Sequence, residues 1–472
     1  MKRAGGMFRW AACQLDILQN CLDLRMLHQS LKSLPTTLEE TYARILAGID
    51  FSHREYTTRI LQFLTYSGRP VTIEESVDIV AVDSSGETAF DFELRMPEPL
   101  EIARVCSSLI TLVVKRNEDD EENKETLTEI RLAHFSVQQY LKSDRIAVSF
   151  GLESPDTGFC LNEKTARAEI TRICLAYLSN FDEQTQAEVI RRDFPFSGYA
   201  MDYWMDHAKL GEMETSVLEA ILKFFHARSG PYVAWVRHYD PRFSRLDTAP
   251  DHIASGTRHL TPTKPFSSAG YIESLDMSDF EVSIQLEMAD PLYHASFGGL
   301  QRTVEALIEK GGDINSQGGR YVNALHAASF RGHVEVVQLL LEKGADINAI
   351  GGLYRNTVHN GTPGTVAANY ELVDMEGSCK SVLEVALSKG HTETVQLLLD
   401  KGAYINTIHG VFGNKNHNMS IQMGISYGSI THSGHLGGNA LQAALSNGYK
   451  DTVQLLLDRG ASLNGPSLFS YS

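Results

Sequence analysis

Basic residues are in short supply: 42 Lys and Arg against 59 Asp and Glu give the 472-residue chain a formal net charge of −17. Such a surface repels phosphate backbones and anionic lipid, which argues against nucleic acid and against a membrane as partners. Cysteine is sparse as well. The six, Cys13, Cys21, Cys106, Cys160, Cys174 and Cys379, form no CxxC pair and no dense framework, and they read as reduced core thiols of a cytoplasmic protein. No apolar run approaches the ~18 residues that a membrane span needs, and Arg9 interrupts the apolar stretch near the N-terminus. The phosphate-cradling pattern GxxxxGK followed by Ser or Thr is missing, and the dipeptide Gly-Lys occurs nowhere. An apolar fraction of 43% supports globular folding, and the length exceeds what one core organises, so two or three domains are expected.

What the chain does have is a recurring unit. In the stretch from Asn323 to Ala349, NALHAASFRGHVEVVQLLLEKGADINA, the residues Leu325, Ala328, Val336, Val337, Leu340 and Leu341 are spaced to put two short helices back to back with apolar faces on one side. Gly332 separates them. Gly344 follows the second helix, where the chain turns left-handed, and Asp346 and Asn348 favour a tight turn. The pentapeptide GGDIN at Gly311 precedes GADIN at Gly344 by 33 residues, and GAYIN at Gly402 and GASLN at Gly460 follow at steps of 58, which is 33 plus 25. Four first helices therefore align, starting at Asp290, Asn323, Ser381 and Asn439.

This period and pattern resemble ankyrin repeats. The resemblance covers about residues 289–464 and implies a stacked helical solenoid used for protein binding, although Thr-Pro is lacking at the first helices. Insertions of 25 residues fall within 350–380 and 408–438; in solenoids such insertions map to loops on one face, often the binding face. The last second helix, TVQLLLD from Thr452, reads like the internal one from Thr394 and is not marked as an end, so the array is expected to be incomplete or poorly capped after Asn464.

Before the array, Phe8, Ala12, Leu15, Leu18 and Leu22 recur at helical spacing over Gly6–Leu22. Thr37 with Glu40 and Thr72 with Glu75 are capping boxes that start further helices, and another helix ends near Tyr66 before the turn at Gly68, Arg69 and Pro70. Helix over Leu100–Leu109, a β-branched run over Ile110–Lys115, an acidic tip at Glu118–Glu122, an alternating stretch over Thr128–His134 and helix over Phe135–Lys142 suggest a winged helix. Its charge opposes insertion into a DNA groove. From Asn162 to Arg228 the pattern is helical, with one stripe of Ile170, Cys174, Tyr177 and Leu178, another of Val217, Leu218, Ile221, Leu222 and Phe225, and an aromatic row of Tyr199, Tyr203 and His207 that reads as core.

The segments GMFRWAACQLDIL at Gly6, SLPTTLEETYARIL at Ser33, GRPVTIEE at Gly68, RLAHFSVQQYL at Arg131 and the helix around Tyr199–Ala208 resemble the region after the ATPase core in fungal NACHT-ankyrin proteins, a winged helix also named after GPI inositol-deacylase. The resemblance implies the C-terminal part of a signalling or non-self recognition protein, with helices trailing the core over residues 1–35 and a winged-helix domain over 36–146. The periodicity adds a helical domain over 147–229, the rise in Pro, Ser, Thr and Asp around Pro241, Pro250, Pro262 and Pro265 marks 230–288 as a linker, and four ankyrin units are expected over 289–472. Without a phosphate-binding loop, the ATPase chemistry carries over to no residue. The fold class is thus mainly α, a winged-helix α+β unit and helical relay followed by an ankyrin solenoid.

No catalytic, cofactor or metal residue is expected. Gly424, Ser426 and Gly428 spell the GxSxG of a hydrolase elbow, the alternative that the GPI inositol-deacylase label raises, but a Gly-, Ser- and His-rich loop between two units supplies neither the strand nor the helix that the elbow needs. His432 and His435, with His409 and His417, lack Cys or carboxylate partners for a metal. His326 falls where ankyrin repeats use an imidazole for turn hydrogen bonds. A DNA-binding winged helix, the other alternative, would need a basic recognition helix. The expected function is a non-enzymatic module that binds a protein partner, and calorimetry should show no saturable ATP binding; a micromolar isotherm would contradict it.

Overall fold

The computed structural model describes residues 10, 13–15, 18, 23–83, 90–116, 126–143, 159, 161–226, 230–238, 289–319, 321, 323–349, 381–405 and 440–461. They fall into two compact units, one ending at His238 and the other beginning at Ala289. The expected Gly6–Leu22 helix lies largely outside the described residues.

The first unit opens with α1 (Leu24–Lys32), which buries none of its residues. Both capping boxes form: the Thr37 hydroxyl accepts from Glu40 N–H at the start of α2 (Leu38–Ala47), and Thr72 does so from Glu75 at the start of α4 (Ile73–Ala81). Between them α3 (Arg54–Tyr66) runs to the residue where the sequence pattern stops, and Val71–Thr72 makes the short strand β1. The carbonyl end of α4 is covered by Arg59, whose Nη1 donates to Val82 O at 2.6 Å and Ile79 O at 3.3 Å, a cation where the helix dipole is negative. The stretch expected as helix over Leu100–Leu109 is α5 (Glu101–Cys106) tightening into a 3₁₀ turn, Ser107–Leu109. The hairpin follows as β2 (Ile110–Arg116) and β3 (Thr126–Leu132), antiparallel with Ile110 opposite Leu132. With β1 the sheet order is β1-β3-β2, so β3 is central. α6 (Phe135–Leu141) closes this part.

Among the described residues, five further helices belong to the unit: α7 (Glu163–Leu178), α8 (Ala187–Asp193), α9 (Ser197–Gly211), α10 (Thr215–Phe224) and α11 (Gly230–His238). The stretches separated above as 36–146 and 147–229 share one core. Asp78 on α4, 1% exposed, accepts a hydrogen bond from the Tyr177 hydroxyl on α7 and from Arg95 Nε at 2.6 Å, while Arg95 Nη2 donates to Asp193 O on α8 at 2.7 Å. The Tyr66 hydroxyl donates to Leu161 O at 2.8 Å, and Phe63 packs on Phe196 and Tyr199. A buried carboxylate survives only because each of its oxygens is occupied in this way.

The linker assigned to 230–288 needs correction at its start. Residues 230–238 are helical, with Tyr232 and Trp235 fully buried against Trp204 and Phe225 and Trp235 Nε1 donating to Met201 O at 3.3 Å. Pro231 does not prevent this, because at the first turn of a helix proline costs nothing: its missing N–H has no intrahelical partner there. The rest of that segment is outside the described residues.

The Tyr199, Tyr203 and His207 row lies on α9. Tyr199 and His207 are buried, and the Tyr199 hydroxyl lies 2.8 Å from His207 Nε2. Burial first, and the Arg167 charge second, push the imidazole down to about 4. The unfolded chain therefore binds a proton that the native state excludes, and the stabilisation present above pH ~6.5 is lost as pH falls towards 4, by roughly 3 kcal/mol. Thermal melts of His207→Gln should lose this part of the acid slope; an unchanged slope from pH 7 to 4 would exclude His207 as its source.

Among the described residues, eight helices build the second unit: α12 (Pro291–Gly298), α13 (Gln301–Glu309), α14 (Ala324–Arg331), α15 (Val334–Glu342), α16 (Val382–Ser388), α17 (Thr392–Asp400), α18 (Ala440–Ser446) and α19 (Lys450–Asp458). They are the four expected pairs. First helices pack in one row and second helices in another, and Leu340, Leu398 and Leu456 are fully buried. α15 buries Val336, Val337, Leu339 and Leu340, whereas α19 buries only Thr452 and Leu456 and leaves Leu457 half exposed.

Candidate protein-binding surface

Successive pairs are joined by contacts that recur, in full at the first two junctions and in part at the third. The turn between its helices places a glycine at positive φ: Gly299 at 72°, Gly332 at 69°, Gly390 at 74° and Gly448 at 74°. A Cβ on Gly299 would stand 2.9 Å from the His333 ring, on Gly332 2.5 Å from His391 and on Gly390 2.7 Å from Tyr449. The glycine thus makes room for a ring from the following unit. That ring also bonds backward: His333 Nε2 lies 3.1 Å from Phe297 O and His391 Nε2 lies 2.9 Å from Phe330 O, occupying carbonyls near a helix end. Sequence reading named the glycine and passed over the residue beside it, although Gly-His at 332 and 390 and Gly-Tyr at 448 recur with the repeat.

A second ladder runs along the turns that follow the second helices. Asn315 Oδ1 accepts from Asp346 N–H, and Asn348 Oδ1 accepts from Tyr404 N–H, each at 3.0 Å. Asp313 and Asp346 each accept from the backbone N–H two residues on, the Asx turn that their types favour. Tyr404 stands where Asp313 and Asp346 stand in their units and is 64% exposed. Aromatic packing adds to the first junctions: Tyr321 stacks on Phe330 at 3.9 Å, Arg331 covers Phe297 at 5.0 Å and Lys389 covers Phe330 at 4.7 Å.

Two kinds of exposed surface result. The outer helices show Glu309, Glu342, Asp400 and Asp458 beside Lys310, Lys343, Lys401 and Arg459, with Arg459 Nη2 bridging to Asp400 at 2.7 Å from one unit to the next. Charges of opposite sign at such spacing partly screen one another, so this face is solvated. The turn edge instead presents Asp313, Asp346 and the Tyr404 ring, an amphipathic anchor of the type enriched where proteins bind one another.

His326 has the role that its position implied: buried, with Nδ1 2.8 Å from Asn323 Oδ1, the same oxygen that accepts from His326 N–H. Ser426, Gly424, Gly428, His409, His417, His432, His435, the acidic tip at Glu118–Glu122 and both insertions lie outside the described residues. Cys13, Cys106 and Cys174 are buried outside any disulfide, and burial pushes the Cys106 thiol up to about 12.

Residues 272–350 match the profile of ankyrin repeats in three copies, and residues 436–467 match that of a single ankyrin repeat. The pair Val382–Asp400 lies between the two matched stretches and carries the same junction contacts, so the array is an ankyrin solenoid with four described units. Over 319 residues, 65% of this chain, the sequence is 34% identical to the azaphilone pigments biosynthesis cluster protein L of Monascus ruber. The chain spans 58% of that relative's length. No helix among the described residues is long and apolar enough to cross a membrane.

Gly332 and Gly344 separate backbone strain from junction sterics. Both have positive φ, but a Cβ on Gly344 meets nothing within 4 Å. Gly344→Ala should cost about 1–2 kcal/mol for the left-handed conformation alone, and Gly332→Ala clearly more because His391 must move. Equal losses in chemical denaturation would mean that the ring against Gly332 does not contribute to the junction.

Proposed function

We propose that the chain is a non-enzymatic interaction protein whose ankyrin array grips a protein partner along the turn edge. The observation that carries this reading is the array itself: four units locked in one register by repeating junctions, holding an exposed Tyr404 on a rigid edge. The order helix, strand, helix, helix and hairpin, with the last strand central, supports reading this part as a winged helix, and the chain's net charge of −17 favours a protein contact over DNA. Together with the resemblance to NACHT-ankyrin proteins, this supports a place in a signalling or non-self recognition protein, the first unit relaying what the array binds to an ATPase core. The relative named for a pigment biosynthesis cluster makes proteins encoded in such a cluster the first partners to try.

The full chain used as bait, followed by crosslinking mass spectrometry, should place the bound protein against residues around Tyr404. Tyr404→Ala should weaken that complex about tenfold, a loss of roughly 1.4 kcal/mol, without changing the circular dichroism spectrum. Phe51→Ala, which removes an 85% exposed side chain of the first unit, should leave the affinity alone. The opposite result would move the binding site off the array.

A further inference from the structure

The sheet of the first unit ends in a strand whose outer side carries no partner among the described residues. In the order β1-β3-β2, β2 is an edge, and it is seven residues long where β1 has two. Its register fixes which backbone groups face outward. Ala133 N–H donates to Leu109 O at 2.9 Å, and with Ile110 opposite Leu132 this makes 111, 113 and 115 the residues that exchange hydrogen bonds with β3. The N–H and C=O groups of Ile110, Leu112, Val114 and Arg116 therefore point away from the sheet.

Edges of this length are usually blunted by proline, a bulge or a charge directed into the strand. Ile110–Arg116 has neither proline nor bulge, and its register runs unbroken from Ile110 to Arg116. The Lys115 ammonium is not free to guard the edge, because it is turned across the sheet to Glu129 at 2.6 Å and is only 19% exposed. Val114 lies on the same side of the sheet as the buried Ile110 and Ile130, yet is 61% exposed, because the hairpin runs on past the helices that cover its base.

We propose that β2 pairs antiparallel with β2 of a second copy of this chain, joining two three-stranded sheets across a two-fold axis at Val113. In that register all seven residues pair. Leu112 and Val114 of one copy exchange hydrogen bonds with Val114 and Leu112 of the other, and each Leu112 covers the other copy's exposed Val114. Charge selects this arrangement over the parallel one: the cationic end, Lys115 and Arg116, meets the uncharged Thr111 and Ile110, whereas parallel pairing would set the cations side by side. The proposal is independent of the array and of its partner.

Sedimentation equilibrium of the full chain at about 100 μM should give twice the 52.3 kDa protomer mass. Val114→Pro deletes an outward N–H without touching the ladder to β3, so it should return the mass to that of one protomer with an unchanged melting curve; Leu457→Glu, on the exposed surface of the array, should leave the dimer intact. Val113→Cys should crosslink to itself on mild oxidation, since facing residues of a non-hydrogen-bonded pair stand about 4.5 Å apart between Cα atoms. A monomeric wild type, a dimer that survives Val114→Pro, or one abolished by Leu457→Glu would each overturn the proposal.

Discussion

A pair of helices of seven to nine residues cannot bury its own apolar face, and the whole second unit follows from that shortage. Leu340 is fully buried because helices of adjoining pairs stand on either side of it; the same holds of Leu398. The stacking is made specific by a small polar device: a left-handed glycine, a ring from the next unit in the space where its Cβ would be, and a bond from that ring to the previous unit's carbonyl. Hydrophobic burial supplies the driving force and is indifferent to exact register. The ring and the asparagine ladder define the register.

The first unit solves a different problem, that of joining the helices that follow the hairpin to those that precede it. Aromatic packing of Phe63 on α3 and Tyr177 on α7 with Phe196 and Tyr199 at the start of α9 fills the space between them, and Asp78 on α4 sits beside it. Removing either Arg95 or Tyr177 would leave a buried charge short of a partner, which is why such a group ties its surroundings to one arrangement. His207 is held in the opposite condition, kept uncharged by the same dry environment.

Much of this was legible in the residues. Capping boxes at Thr37 and Thr72, the β-branched run at Ile110 and the 33-residue period are local signals, and local signals survive the absence of tertiary information. What escaped was whatever depends on a distant neighbour. Gly230 and Pro231 carry the composition of a linker, and only the Trp204 and Phe224 rings that pack on Trp235 make α11 worth forming. His333 and His391 are unremarkable in sequence until the unit before them is in place. Tyr404 breaks the Asp pattern of the turns, a departure visible in the sequence but without meaning until its exposure was known.

The junction between α14 and α16 carries the same imidazole-to-carbonyl contact as the one between α12 and α14, although the first helices that meet there begin 58 residues apart rather than 33. The stack is therefore blind to the length of chain between its members. Closing a longer loop costs only a logarithmic increment of entropy, so the 25 extra residues weigh on the folded state by about 1 kcal/mol, less than one buried leucine returns. Segment length between units can thus drift through insertion and deletion while the scaffold stays thermodynamically unaltered, which leaves those segments free to diverge at the pace of whatever they meet.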